Sequence, residues 1–339
     1  MARCDPIEDG FLVFVNTLHF YRLLSLSAWL LAAGALAPGR VRACSVCGCS
    51  MNSDWSSQGY TVSSGVRLDV RFDDSDQTQL RSGTHPADRG DFAFPNDQEI
   101  QQETLNRVAT LGVDFSPSRD WGLNFQLPEI DRFHTTIAAG DAAISTARLR
   151  GFGDLRVLAR YQGFDPTGST GLQFGLKLPT GSFGDNFDSG PQAGTLLDRG
   201  LQQGSGTTDV LLGLYHFGYL SQELGWFAQA LGEKALADRE HYRPGAALNL
   251  SLGLRYTAPR WIVPQLQINT RWEQRESGAE ADVENSGSST VYLSPGFSLP
   301  IVRNKLDAYT FLEVPIFQRV NGLQLEPRWL LSVGLRYRL

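Results

Sequence analysis

Apolar and polar residues alternate with a period of two along most of this chain. In the last nine residues Leu331, Val333, Leu335, Tyr337 and Leu339 alternate with Ser332, Gly334, Arg336 and Arg338. Successive side chains of a strand point to opposite faces, so such a segment turns one face to an apolar phase and the other to water. Twelve segments carry this pattern, at about 62–73, 105–116, 121–130, 152–162, 171–180, 208–218, 224–234, 244–256, 262–273, 288–299, 305–317 and 328–339. Each is near the roughly 10 residues that a tilted strand needs to cross a bilayer. The clearest are Val66/Leu68/Val70/Phe72, Trp121/Leu123/Phe125/Leu127 and Ala246/Leu248/Leu250/Leu252/Leu254/Tyr256. Segment 208–218 is apolar at both parities, so its pattern leaves the facing open.

The links between segments alternate in length. Short ones rich in Pro, Gly, Asp or Asn lie at Ser116–Asp120, Gly163–Thr170, Gly218–Glu223, Thr257–Trp261 and Pro300–Asn304, and long ones at 74–104, 131–151, 181–207, 235–243, 274–287 and 318–327. Outer-membrane barrels have short periplasmic turns, longer extracellular loops and an even strand number. The expectation is an all-β fold: a single antiparallel transmembrane β-barrel of about 12 strands over 61–339, with both termini in the periplasm. Aromatics near segment ends, among them Trp121, Tyr161, Tyr256, Trp261, Trp272, Trp329 and Tyr337, suit headgroup girdles. Pro264, Pro295 and Pro315 each remove a ladder donor, so bulges or strand ends are expected there.

The N-terminus changes the picture from membrane protein to exported membrane protein. An uncharged Leu/Ala-rich stretch, 23–39, lies between Arg22 and Arg40, and Val41-Arg42-Ala43 places small residues before Cys44. It is short and N-terminal, with no second apolar run behind it, so 1–43 reads as a secretory signal with an over-extended start. The mature chain then begins near Cys44, with 44–60 a periplasmic leader or plug. The location expected is the bacterial outer membrane. Composition agrees. Charged residues make up 19% of 339 residues while mean hydropathy is slightly negative, as in a barrel that dilutes lipid-facing residues with a polar lumen. A formal charge of −6 without clusters argues against nucleic acid as a partner.

On the parity opposite the apolar one lie Arg67, Asp69, Arg71, Asp154, Arg156, Arg160, Lys177, Arg255, Arg271, Glu313 and Arg336. In a closed barrel these face the lumen. There they either line a hydrated pore or pair with one another and fill it, since a twelve-stranded barrel falls between packed and open sizes. Cys44-x-x-Cys47-x-Cys49 contains three of the four cysteines. Three thiols could bind Cu or Zn with ligands from elsewhere, form one exchangeable disulfide, or, at Cys44, carry lipid. No other cofactor is expected. Catalysis has little support: Asp131, His134 and Asp141 could mount an acid–base site near the rim, but loop polarity accounts for them, and the chain is read as a non-enzyme. Gly151-Phe152-Gly153-Asp154 opens no helix and so fails as a phosphate loop.

Gly151-x-Gly153-Asp154-Leu-Arg-Val-Leu-Ala-Arg160-Tyr161, then Gly175-Leu-Lys-Leu-Pro179-Thr180-Gly181, then Gly204-Ser-Gly206-Thr-Thr-Asp209 follow in order. From about residue 150 onwards this resembles the outer-membrane family named for the MetA pathway of phenol degradation, related to toluene and long-chain fatty acid channels. The resemblance implies a barrel that passes small, often aromatic or hydrophobic, solutes; the cysteine cluster is foreign to that pattern. The expected function is an outer-membrane channel or transporter for such solutes, with outer-membrane lipid as its surroundings and loops 74–104 and 181–207 as gate. The rival expectation is an anchor or conduit whose leader docks a metal ion or a periplasmic redox partner.

Overall fold

The computed structural model describes residues 64–339 except Arg260. The expected signal at 1–43 and the leader with Cys44, Cys47 and Cys49 lie outside the described residues. Fourteen strands form one sheet: β1 (Gly65–Ser82), β2 (His85–Pro86), β3 (Ile100–Ser116), β4 (Trp121–Ile137), β5 (Ser145–Phe152), β6 (Leu155–Tyr161), β7 (Thr170–Leu178), β8 (Asp209–Tyr219), β9 (Leu224–Ala235), β10 (Ala247–Tyr256), β11 (Val263–Glu273), β12 (Ser288–Val302), β13 (Leu306–Val320) and β14 (Leu323–Arg338). Neighbours pair antiparallel, and β14 returns to pair with β1 from Arg67↔Arg338 to Ser82↔Leu323, which closes the barrel. β2 is a two-residue flap on β1. β5 and β6 both pair with β4 and together make one stave, so the wall has twelve.

The outer face of the lower barrel is apolar. Val70, Leu212, Leu214, Leu252 and Ile316 are exposed, while Arg67, Asp69, Asn124, Gln173 and Gln267 on the alternate parity are buried. A continuous apolar band of this size has no place in water. Its solvent is lipid, and the closed ladder satisfies the backbone groups that lipid cannot. At the short-turn end the Tyr161 ring meets Trp121 tilted and Phe164 edge-on, with centroids 4.8 and 4.9 Å away, a cluster suited to headgroup level. β8, whose facing the pattern left open, turns Leu211 and Tyr215 inward and Val210, Leu212 and Leu214 outward.

The strands run further outward than the periodicity predicts. β1 continues to Ser82 and β4 to Ile137, where Asp74, Glu129, Asp131, Arg148 and Arg150 occupy the outer face. Beyond the lipid the outside is water, so the pattern inverts: Ala147, Leu149, Leu80, Ile100 and Leu325 now lie inside. The expected loop 318–327 is instead a two-residue turn, Asn321-Gly322, with Gly322 at φ +60°. Both flanking strands extend as an ordinary amphipathic hairpin above the membrane. Of the prolines, Pro264 sits at the start of β11 and Pro315 beside a bulge that skips Ile316; Pro295 stays within β12, opposite Leu266.

Two local devices give measurable consequences. In the turn between β6 and β7, the Asp165 carboxylate accepts from the hydroxyls and amides of Thr167 and Ser169 and from the Thr170 amide. These bonds, that of the Thr167 hydroxyl foremost, hold it well below the usual carboxylate range. A depressed acid contributes stability above its unfolded value near 4 and loses it only as pH falls through the lower folded value. Protection of the Thr167 and Ser169 amides against hydrogen exchange should therefore survive below pH 4, and Asp165→Ala should abolish it at neutral pH. Within the wall, the Tyr215 ring lies across its cross-strand partner Gly171, where a Cβ would stand 2.2 Å from Cζ, and its hydroxyl donates to Gln162 at 2.6 Å. Gly171→Ala should displace that ring and cost about 1–3 kcal/mol in urea unfolding of the vesicle-inserted protein.

Candidate functional site

The inward parity of the wall carries interlocked charges. Arg67 Nη1 lies 2.7 Å from Asp114, whose other oxygen is 3.6 Å from Arg160. Asp69 accepts from Arg336 at 3.3 Å and from the Tyr309 hydroxyl at 2.8 Å, and Arg71 meets Asp73 at 2.7 Å. A second ladder spans β6 to β9: Arg156 to Glu233 at 2.6 Å, and Lys177 to Glu233 at 2.9 Å and to its cross-strand partner Asp209 at 2.5 Å. On β11, Arg271 meets Glu273 at 3.1 Å. Glu313 is fully buried and Arg255 half-buried, both on the inner parity. The pairs run along the wall, and a cavity of about 220 Å³ remains inside it.

What bounds that cavity from outside is the loop 179–208, which turns into the barrel. Residues 197–204 are buried throughout, and Phe187, Leu197 and Leu201 pack on Ala147 and Leu149 of β5. This explains why the inner face of β5 is apolar: it meets a loop, not water. Arg132 on β4 reaches from the wall to donate to the Leu201 carbonyl at 2.5 Å and the Gln202 carbonyl at 3.3 Å. Arg199 lies between the rings of Phe183 and Tyr242, 4.3 and 5.1 Å from their centroids, and donates to the Ser205 carbonyl at 3.0 Å.

Asp154 is the anchor of this loop. Opposite Pro128, which has no amide to donate, β4 changes partner from β6 to β5, and the chain between the two strands folds inward at Gly153-Asp154. Asp154 Oδ1 accepts from the Gly181 amide at 3.1 Å, and Oδ2 from the Ser205 amide and hydroxyl, both at 3.0 Å. Both ends of the loop are thus tied to one carboxylate. Thr180 reinforces the knot, donating to the Gly153 carbonyl and accepting from the Leu155 amide, both at 2.9 Å. The approach is too close for a side chain: a Cβ on Gly204 would stand 2.6 Å from both the Asp154 carboxylate and the Gly181 carbonyl. Three stretches far apart in sequence, 151–154, 179–181 and 204–209, meet here, and they are the stretches that carry the family resemblance.

Arg71, Asp154, Arg156, Lys177 and Arg271 line the cavity; Arg67, Asp69, Arg160, Arg255, Glu313 and Arg336 do not. Sequence reasoning missed Arg132, Arg199, Asp209, Glu233 and Tyr242. Arg132 continues the inner parity of Asn124, Gln126, Pro128 and Ile130, and counting two residues past the expected strand end finds it. The acid–base candidates do not converge. Asp131 points outward to Arg148, His134 is buried against Thr104 Oγ1 at 2.8 Å, and Asp141 accepts from Gln192. Among the described residues no group of His, Cys, Asp and Glu is arranged to hold a metal ion.

No family model and no curated protein matches this chain. Among solved structures it is similar to an outer membrane channel from Pseudomonas putida F1, with a TM-score of 0.59 and 14% identity over 82% of this chain and 97% of that one. It is also similar to the NanC porin (TM-score 0.44, 11% identity, 80% and 100% covered) and to the toluene transporter TbuX of Ralstonia pickettii (TM-score 0.41, 10% identity, 89% and 98% covered). The fold is that of an outer-membrane barrel, which agrees with its closed ladder and lipid-facing band.

If one carboxylate holds both loop ends, Asp154→Ala should speed hydrogen exchange at the Gly181 and Ser205 amides by about tenfold or more, since each bond is to a charged acceptor. Asp154→Asn, with a single acceptor oxygen, should restore only part of the protection.

Proposed function

We propose that this chain is an outer-membrane channel for small solutes, with 179–208 as its constriction. The observation that carries the reading is the loop itself, folded inside a closed barrel and held against a charge-lined cavity. An inert anchor needs no such loop, because paired charges alone could fill the interior. The eleven inner-parity residues singled out in the sequence act as two groups in this reading. Asp154, Arg156, Lys177, Arg271 and Arg71 face the solute at the constriction. Arg67, Asp69, Arg160, Arg255, Glu313 and Arg336 keep the rest of the lumen polar and hydrated. Small aromatic or hydrophobic compounds are the solute class that the motif resemblance implies. The chain works as a conduit and not as an enzyme, in keeping with acid and base candidates that lie apart.

Protein extracted from outer membranes and placed in a planar bilayer should give stepwise single-channel conductance. Asp154→Ala should raise the conductance or make it flicker as the loop leaves the lumen. Silent bilayers from protein shown to be folded and inserted would refute the channel.

A further inference from the structure

Charge is not balanced across the cavity. Arg156, Lys177 and Arg271 are matched by Asp209, Glu233 and Glu273, and Arg71 by Asp73 behind it. The remaining carboxylate, Asp154, is taken up by two backbone amides and a hydroxyl. Two buried guanidiniums are left over. Among the described residues Arg132 makes bonds only to neutral acceptors, the two loop carbonyls and Asn106 Oδ1 at 2.5 Å. Arg199 has a single acid, the exposed Glu240, at 3.6 Å, and its buried Nε has no acceptor. A buried cation without a close counter-charge is costly, so a site where Arg132 meets no carboxylate and Arg199 meets one only at its exposed edge favours an anion.

The same cavity has an apolar wall. Val108 and Ile130 are cross-strand partners on β3 and β4, Pro128 precedes Ile130 on that face, and Leu158 adds to it from β6. All four take inner-parity positions on adjoining strands, and Leu231 of β9 is a further apolar residue of the lining. Arg132 follows Ile130 by two residues, which sets its Cβ about 7 Å along the same face. A cationic head and an apolar strip at that spacing fit one molecule with a charged end and a small greasy body. The cavity has room for a body equal to several waters.

We infer that the constriction is a binding site for small organic monoanions, with the carboxylate at Arg132 and Arg199 and the apolar body on Val108, Pro128, Ile130 and Leu158. The inference deepens the channel reading and rests on it for the solute's passage, but binding itself is measurable without flux. Isothermal titration of the detergent-solubilised protein with benzoate should show one saturable site. Benzamide, the neutral analogue, and acetate, the anion without a body, should each bind at least about tenfold more weakly, the scale of one charge-assisted hydrogen bond or a few buried methylenes. Arg199→Gln and Arg132→Gln should each weaken benzoate by about tenfold or more. Because Arg132 also holds the loop, Val108→Thr serves as the second variant: it should weaken benzoate and leave acetate unchanged.

Equal affinity for benzamide would overturn the anionic head, and equal affinity for acetate would overturn the apolar strip. Failure to bind benzoate by protein that conducts in a bilayer would overturn the inference and leave the channel standing. Loss of both binding and conductance in folded protein would remove the two together.

Discussion

Lipid offers the peptide backbone no hydrogen bonds, and that single constraint organises this molecule. A spanning sheet must satisfy every amide and carbonyl from within, which for strands means closure. Here closure is made by the first and last barrel strands, with Leu68 against Tyr337 and Val70 against Leu335. Once the ring is shut, each strand has one face in grease and one in an interior that is neither bulk water nor core. The apolar residues have to go outward, so the polar ones meet inside. At twelve staves the interior falls between the sizes that side chains fill and those that stay open, and its side chains reach their neighbours. The ladders Arg67–Asp114–Arg160 and Arg156–Glu233–Lys177–Asp209 are the outcome.

Above the bilayer the same strands obey the opposite rule. With water outside, charges such as Arg148 and Asp131 take the outer face, and Ala147, Leu149 and Leu325 take the inner one. The inverted rim gives the long loop something to pack on, and Phe187, Leu197 and Leu201 use it. Packing alone would leave the loop's polar backbone stranded in a low-dielectric interior. Asp154 removes that difficulty at its two ends and Arg132 in its middle. The interruption of the wall opposite Pro128 is what lets Asp154 leave the strand and face the loop, so a local irregularity in pairing positions the constriction.

Much of this was open to reading in the chain, and the limits were physical. Period-two alternation located all twelve staves because lipid imposes a strict apolar parity on each. It failed at their outer ends, since the parity inverts where lipid gives way to water and Asp74 or Asp131 then looks like the start of a loop. For the same reason 318–327 read as a loop, although Asn321-Gly322 is a sufficient turn. Inner-parity residues were placed on the buried face, yet the pattern could not tell Lys177, which lines the cavity, from Arg336, which does not. Depth along a barrel depends on register, and register is a property of neighbours. Nor does periodicity say that a loop turns inward. The signal for that was the run of short polar and glycine motifs whose meaning appears only when Gly181, Gly204 and Asp154 are brought to one point.

Buried ion pairs seldom stabilise a protein relative to well-packed apolar residues, because desolvation offsets most of their attraction. Their prevalence here calls for another reason, and the proposed channel function supplies one: an apolar filling would seal the interior, while a paired, polar one would not. Pairing also flattens the potential along most of the wall, so any unpaired charge dominates the field where it sits. At the constriction Arg132 is held by carbonyls and an amide oxygen, and Arg199 by two rings and a carbonyl, with the exposed Glu240 its one acid at 3.6 Å. The loop both narrows the passage and supplies Arg199 to it. In the proposed channel, constriction and selectivity are therefore properties of the same segment, and the carboxylate that ties it down sets the two together.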